Sequence, residues 1–372
     1  MVYLDYAANY PTKKEVLDEL VYCETNFIGN YNSTHKLGKK SFDKYLEYNE
    51  KIMDILGLDP NIFEIIYTSS ATESNNLAIK GIIESYSGTG KKILVSEFEH
   101  NSINAALGYI KSSGYDVEFI ASNINGVDID DLRSKMSNSV ILVICSAVDG
   151  ETGLINNIYA INEVVGEYKN AHLLIDATQA IGKINVNLNQ FEMISFTPHK
   201  FGGLTGTGVL VKKKSTILTP LFHGGLSNSL YRSGSVPLGL IASIYKSLEI
   251  AYNNMENNYI YCKEINKYLL DSLKEIESLK INSFNNPYIV NISISNIKSK
   301  DIVEFLSQND ICVSQKSACS IKNTPSKSIN VLYKDKKRAL ESFRISLSDL
   351  TTKDEIDELI NTIKRYISNG KI

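Results

Sequence analysis

Short apolar runs that stop abruptly at polar, reactive side chains set the rhythm of this chain. Leu173, Leu174 and Ile175 form one such run, and Asp176 ends it. Met193 to Phe196 forms the next, followed by Thr197, His199 and Lys200. Similar runs lie at Ile65–Thr68, Ile93–Ser96, Val117–Ile120, Val140–Cys145 and Gly208–Val211. Runs this short, bounded by turn residues, predict buried strands. Helical patterns separate most of them, which predicts crossover connections and a mostly parallel sheet flanked by helices. Only a short Gly-rich turn precedes Gly208, so that run predicts the odd, antiparallel strand.

The flanking segments carry other patterns. Val2 to Thr12 reads as an extended arm. Thr12 and Glu15 make a capping-box pattern ahead of Val16, Leu17, Leu20 and Val21, which recur at helical spacing. Phe27 to Gly38 is a polar, Gly-bearing loop, and a second helix is predicted from Lys39 to Leu56. His223 to Pro237 is rich in Gly and Ser, and a long helical segment follows to about Leu273. A domain boundary is expected inside that helix. It divides the chain into a large domain over 13–250 and a smaller α+β domain from 1–12 and 251–372. The smaller domain alternates strand Ile289–Ile294, helix Asp301–Gln308, strand Cys312–Ser314, a loop at Ser317 to Lys327, a helix near Lys336 and strand Phe343–Ser348. A second capping box, Thr352 and Glu355, opens the last helix.

In open α/β sheets ligands bind beyond the carboxyl ends of the strands. Asp176, Thr197, His199 and Lys200 are therefore expected in one crevice. An acid that can pair with a pyridinium nitrogen, and a lysine that can hold an aldehyde, are what a pyridoxal phosphate site asks of its protein. A buried carboxylate must be paired, so Asp176 at a strand end is more than packing, although capping the next turn is the plainer alternative. The Ile65–Thr68 strand runs into Ser69, Ala71, Thr72 and Glu73 and then a helical pattern. Such a helix start binds phosphate through its unpaired N–H groups and its dipole. A simple N-cap at Thr72 is the bland alternative. Arg344 lies in a strand-like run, where a fork-shaped guanidinium suits a substrate carboxylate or a structural ion pair.

Composition narrows the classes. The chain has 372 residues, 43% hydrophobic and 22% charged, enough for two packed domains. Its 39 Lys and Arg against 42 Asp and Glu make no basic field for nucleic acid or an anionic membrane. No apolar run reaches the ~18–20 residues of a membrane span, and the N-terminal residues lack a signal-peptide pattern, so a cytoplasmic location is expected. Five cysteines without a C-x-x-C pair argue against a disulfide frame or a metal site. Cys23, Cys145, Cys262 and Cys312 read as buried and inert. Cys319, in a polar loop between Lys316 and Lys322, reads as a thiol poised toward thiolate.

The motifs YLDYAAN, GNYNSTH, SSATESNNLAIKG, EFEHNSI, GETG, DATQAIGK, SFTPHK, HGG, RSGS, SAC, FRISLS and TTKDEID occur in register over nearly the whole length. In these the chain resembles the cysteine desulfurases of the class V, fold-type I aminotransferase group. The resemblance implies conversion of L-cysteine to L-alanine with pyridoxal 5'-phosphate. Lys200 matches the anchoring lysine, Asp176 the partner of the ring nitrogen, and Gln179 the contact to the phenolic oxygen. His100 matches the imidazole stacked on the ring. Ala71 belongs to the phosphate-binding turn; Thr72, Thr197 and His199 match phosphate ligands, and Ser235 matches one given by a second subunit of a homodimer. Arg344 matches the carboxylate-binding arginine, and Cys319 the cysteine that takes sulfur as a persulfide. That sulfur would pass to an acceptor protein or a small thiol, for uses such as iron–sulfur cluster assembly. The long stretch from Cys319 to Arg344 resembles the branch with an extended cysteine loop. Relatives carry Asn where this chain has Gly150, so Gln179 or a water is expected to replace its hydrogen bond. The alternatives are a selenocysteine lyase or another class V lyase or aminotransferase, and a non-catalytic assembly protein.

Overall fold

The computed structural model describes residues 1–225, 229–316 and 324–369. A short strand, β1 (Val2–Tyr3), precedes helices α1 (Lys14–Asn26) and α2 (Lys36–Ile55). Strand and helix then alternate: β2 (Phe63–Thr68), α3 (Ala71–Ser85), β3 (Lys92–Ser96), α4 (Asn101–Ser112) and β4 (Asp116–Ile120). A small hairpin, β5 (Ser122–Asn123) with β6 (Gly126–Val127), leads into α5 (Ile129–Lys135), β7 (Val140–Ser146), α6 (Ile158–Gly166) and β8 (His172–Asp176). Strands β9 (Met193–Phe196) and β10 (Gly208–Lys213) complete a seven-stranded sheet of order β2-β10-β9-β8-β7-β3-β4. β10 pairs antiparallel with both β2 and β9, while the other strands run one way. Six carboxyl ends therefore emerge along one edge.

The sheet is buried on both faces, which explains the unbroken apolar runs of its central strands. Side chains alternate across a strand, so Val143 and Cys145 of β7 enter one core while Leu142 and Ile144 enter the other. Helix α7 (Leu238–Leu273) then spans 36 residues. Ile241 and Leu248 in its first half pack into the main core, whereas Ile265, Leu269 and Leu273 pack into a separate one. That second core surrounds a three-stranded antiparallel sheet of β11 (Leu279–Ile281), β12 (Ile289–Ile294) and a later strand, with helix α8 (Ser299–Gln308) and strand β13 (Ile311–Cys312) beside it. Helices α9 (Lys327–Tyr333) and α10 (Lys336–Glu341), strand β14 (Ser342–Ser346) and helix α11 (Lys353–Asn369) end the chain. The N-terminal arm belongs to this second core: Val2 and Tyr3 pair in parallel with Ile311 and Cys312.

Some local expectations shift. Thr12 does not cap α1: its hydroxyl donates to the Gly203 carbonyl at 3.2 Å, and Lys13 stands at the cap without a side-chain bond. Helix α2 starts at Lys36, before the expected Lys39, because His35 caps it through Nδ1. Thr72 lies inside α3, and Ser70 is the cap. The helix expected near Lys336 is α10, an unexpected helix α9 precedes it from Lys327, and most of the loop expected at Ser317 to Lys327 lies outside the described residues. Cys312 is half-buried rather than sealed. The Thr352–Glu355 box is present, with the Thr352 N–H donating to Glu355 at 2.8 Å.

Candidate active site at the carboxyl edge of the sheet

A cavity of about 360 Å³ opens where the strand ends meet the second core. Ala71 and Thr72 reach it from the start of α3, and His100 from the start of α4. Asp176 and Gln179 reach it from the end of β8, and Thr197, His199 and Lys200 from the turn after β9. Arg344 closes it from β14. Lys200 and Asp176, the pair on which the cofactor expectation depends, thus line one space. Ser235 lies apart, in a surface recess with Glu24, Phe27 and Ile28. Cys319 falls outside the described residues. Lys316, three positions earlier, lines the cavity and donates from Nζ to Thr324 Oγ1 at 2.7 Å.

Asp176 is held from two sides. The Thr178 N–H donates to Oδ1 at 2.9 Å, and Asn75 Nδ2 donates to Oδ2 at 3.0 Å. Asn75 Nδ2 also donates to Ser102 Oγ at 3.0 Å, and Ser102 lies 2.9 Å from His100 Nδ1. His100 caps α4, its Nδ1 accepting the Ser102 N–H at 3.1 Å. Burial lowers the His100 pKa, the Asp176 charge opposes that, and Lys200 adds to the lowering. A neighbouring acid, Glu99, accepts from Ser96 Oγ, the Ser146 N–H and Ser146 Oγ at 2.6, 2.7 and 2.6 Å. Burial nonetheless pushes Glu99 up to about 7, and the Asp176 charge adds to the rise.

Behind Gln179 stands a second buried lysine. Lys183 donates to Gln179 Oε1 at 2.8 Å, and Gln179 Nε2 donates to the Ala7 carbonyl at 2.9 Å. These bonds fix the amide with its N–H₂ end beside Gly150, where a Cβ would meet only Gln179 atoms at 3.8 Å. Burial, with the charge of Lys200 adding, brings Lys183 down to about 7. Asp149 also lines the cavity, but its carboxylate is taken up by the Thr152 N–H and hydroxyl and by Ser328. Lys200 donates to the Ala8 carbonyl at 2.6 Å. Arg344 is 1% exposed; its Nη1 donates to the Gly150 carbonyl at 2.7 Å and its Nη2 pairs with Asp5 at 2.8 Å.

At the other end, the first N–H groups of α3 have no intrahelical acceptor, so Ala71 and Thr72 offer them to an anion. The Thr197 hydroxyl lies 2.7 Å from the Thr207 carbonyl and 2.8 Å from His199 Nδ1, and when its proton turns to that nitrogen His199 keeps its own on Nε2, where it can donate to a phosphate. Burial, with Lys200 and Lys183 adding, brings His199 down to about 4.

These residues fit pyridoxal phosphate. A buried acid, a lysine and a helix start line one cavity, and Thr178 Oγ1 and Arg344 Nε lack a partner among the described residues. Sequence reasoning missed Asn75, Ser102, Glu99, Lys183 and Asp5. Asn75 left one trace, a polar residue among the apolar positions of α3. Lys183 left another, its i,i+4 spacing from Gln179. Asp5 left none.

Fold and cavity first define a class: over residues 2–359 the chain matches the family Aminotransferase class-V, and it belongs to that family. Within it, the chain is a member of the cysteine desulfurases. It is 33% identical to the cysteine desulfurase IscS of Buchnera aphidicola subsp. Baizongia pistaciae (strain Bp), over 99% of this chain and 93% of that protein. It is 30% identical to the cysteine desulfurase IscS of Dictyoglomus turgidum, over 98% and 94%. Among solved structures, the NifS-like protein from Rickettsia africae ESF-5 superposes with a TM-score of 0.88 at 25% identity, covering 99% of both chains. SspA in complex with cysteine superposes with a TM-score of 0.79 at 26% identity, covering 95% of this chain and 100% of that one.

Proposed function

We propose that this chain is a pyridoxal phosphate-dependent enzyme that takes sulfur from L-cysteine, releases L-alanine and carries the sulfur as a persulfide on Cys319. One observation carries the reading: every described residue expected at the site, Ser235 excepted, lines a single cavity. Lys200 would anchor the coenzyme, Asp176 would face its ring nitrogen, His100 its ring, and Gln179 its phenolic oxygen. The α3 start, Thr197 and His199 would hold its phosphate. When bound, the coenzyme supplies an electron sink for the substrate Cα.

The protein's own groups do the rest. Arg344, its plane fixed by Asp5 and the Gly150 carbonyl, takes the substrate carboxylate. Lys200 accepts and returns the Cα proton. The Cys319 thiolate attacks the substrate sulfur, so an S–S bond forms as the carbon–sulfur bond breaks. The electron pair of that bond remains on carbon, which is protonated to give alanine. The persulfide then passes to an acceptor protein or small thiol.

Two structural readings belong with this one. The division into 13–250 and 1–12 with 251–372 is supported by the two separate apolar cores. A homodimer is supported by Ser235, which needs a second copy to reach a cavity, and by exposed Val21, Tyr22, Ile28 and Phe42 nearby on α1, α2 and their loop. No helix among the described residues is long and apolar enough to cross a membrane, and a cytoplasmic location is proposed.

The test is to incubate purified protein with L-cysteine and measure alanine and protein-bound persulfide together. Wild type is expected to produce both. Cys319→Ala is expected to keep the visible band of the bound coenzyme and lose both products. Alanine release at the wild-type rate from Cys319→Ala would sink the proposal.

A further inference from the structure

Asn75 is fully buried, inside a helix whose other inward residues are mostly apolar. A buried amide persists only when its polar atoms are paired. Here Oδ1 accepts the Ser195 hydroxyl at 2.5 Å, and Nδ2 spends its two protons on Asp176 Oδ2 and Ser102 Oγ, both at 3.0 Å. The amide has one workable orientation: turned over, its carbonyl oxygen would meet the Asp176 carboxylate. Ser102 Oγ, accepting from Asn75, has its own proton left for His100 Nδ1 at 2.9 Å. The Ser102 backbone N–H reaches the same nitrogen at 3.1 Å. Each of these donors favours an unprotonated Nδ1, and with both in place neutral His100 holds its proton on Nε2.

We propose that Asn75 is a positioning residue: one buried amide aims the Asp176 carboxylate and, through Ser102, holds His100 with its proton on Nε2, the nitrogen left for the cavity. Protonating Nδ1 would turn an acceptor into a donor facing two other donors, so the cap of α4 and the Ser102 hydroxyl both oppose it. The lowered His100 pKa agrees. His100 therefore offers the cavity a hydrogen-bond donor and not a lone pair. In the desulfurase reading, on which this second half rests, His100 gives a reacting group a hydrogen bond from Nε2 and keeps the proton, since losing it would leave an imidazolate. Nor is Nε2 set to take a proton from the substrate thiol.

The experiment uses the full chain labelled with 15N-histidine, without coenzyme. Long-range proton–nitrogen spectra are recorded, and His100 is assigned by its loss in His100→Gln. Wild type is expected to show an unprotonated Nδ1 and a protonated Nε2. Asn75→Leu and Ser102→Ala are each expected to move both His100 signals toward the mixed-tautomer position. With pyridoxal phosphate added, the visible band is expected to shift in Asn75→Leu, which loses an Asp176 partner, and to stay in place in Ser102→Ala. A role limited to packing would lower the melting temperature and leave the nitrogen shifts alone. If Asn75→Leu fails to fold, Ser102→Ala still decides the tautomer. A proton on Nδ1 in wild type, or unchanged His100 shifts in both variants, overturns the proposal. Absence of any visible band in wild type would instead sink the desulfurase reading and leave the tautomer result standing.

Discussion

Glu99 shows how far a side chain's chemistry depends on its surroundings. Its sequence neighbours mark it as an ordinary acid before a helix, yet it is 5% exposed and sits at about 7. An unfolded glutamate titrates near ~4.3, so the folded state binds more protons between those values. Its contribution therefore lowers stability as pH rises through that window, and the cost is fully present above about 7. Glu99→Gln removes the charge while keeping the shape. Relative to wild type, the variant is expected to be more stable at pH 8 than at pH 5, by about 1–3 kcal/mol. Urea unfolding at the two pH values checks this, and a difference independent of pH would refute it. Asp176 and Arg344 were legible because each ends or interrupts an apolar run, where a charge needs a reason, and Lys200 because it follows a strand end. Asn75, Lys183 and Asp5 were not, because their roles are defined by partners: Asn75 meets Asp176, and Asp5 meets Arg344, across large sequence separations.

At the scale of elements, the turn from β2 into α3 decides where an anion can sit. The Ser-rich turn announced a helix start but not which residue caps it. Ser70 takes that place because its backbone is extended, with φ −175° and ψ 162°, and its Oγ accepts the Glu73 N–H at 3.1 Å. Thr72 is thereby moved into the first turn, where its N–H faces the cavity edge. Ser70→Ala is expected to cost about 1 kcal/mol of stability and to weaken pyridoxal phosphate retention several-fold. Thermal melts and coenzyme titration would measure the two effects; unchanged retention would detach this turn from the phosphate. The Thr12–Glu15 pattern failed for a related reason. A capping box is a local signal, and the Gly203 carbonyl, far along the chain, captured the Thr12 hydroxyl instead.

For the whole molecule, the recess holding Ser235 opens on the surface rather than into the cavity. Ile28, 72% exposed, lines that recess. The proposed homodimer would cover Ile28, and an unpaired charge buried in an interface costs several kcal/mol, so Ile28→Asp is expected to shift the protein from dimer to monomer. Sedimentation at micromolar concentration would show it, and coenzyme would be released faster as the second copy's Ser235 leaves. A monomeric wild type, or an Ile28→Asp dimer as tight as wild type, would remove the dimer from the account.

The chain by itself settled the alternation of strand and helix, the antiparallel β10 and the reactive groups at strand ends. Those follow from periodicity and from the cost of burying charge, which act over a few neighbouring residues. Only the tertiary structure decided that Val2 and Tyr3 pair with Ile311 and Cys312, that Asp5 clamps Arg344, and that Asn75 links Asp176 to His100. Hydrogen bonds and ion pairs between distant segments exist only once the chain has brought them together, and no local pattern encodes which segments will meet.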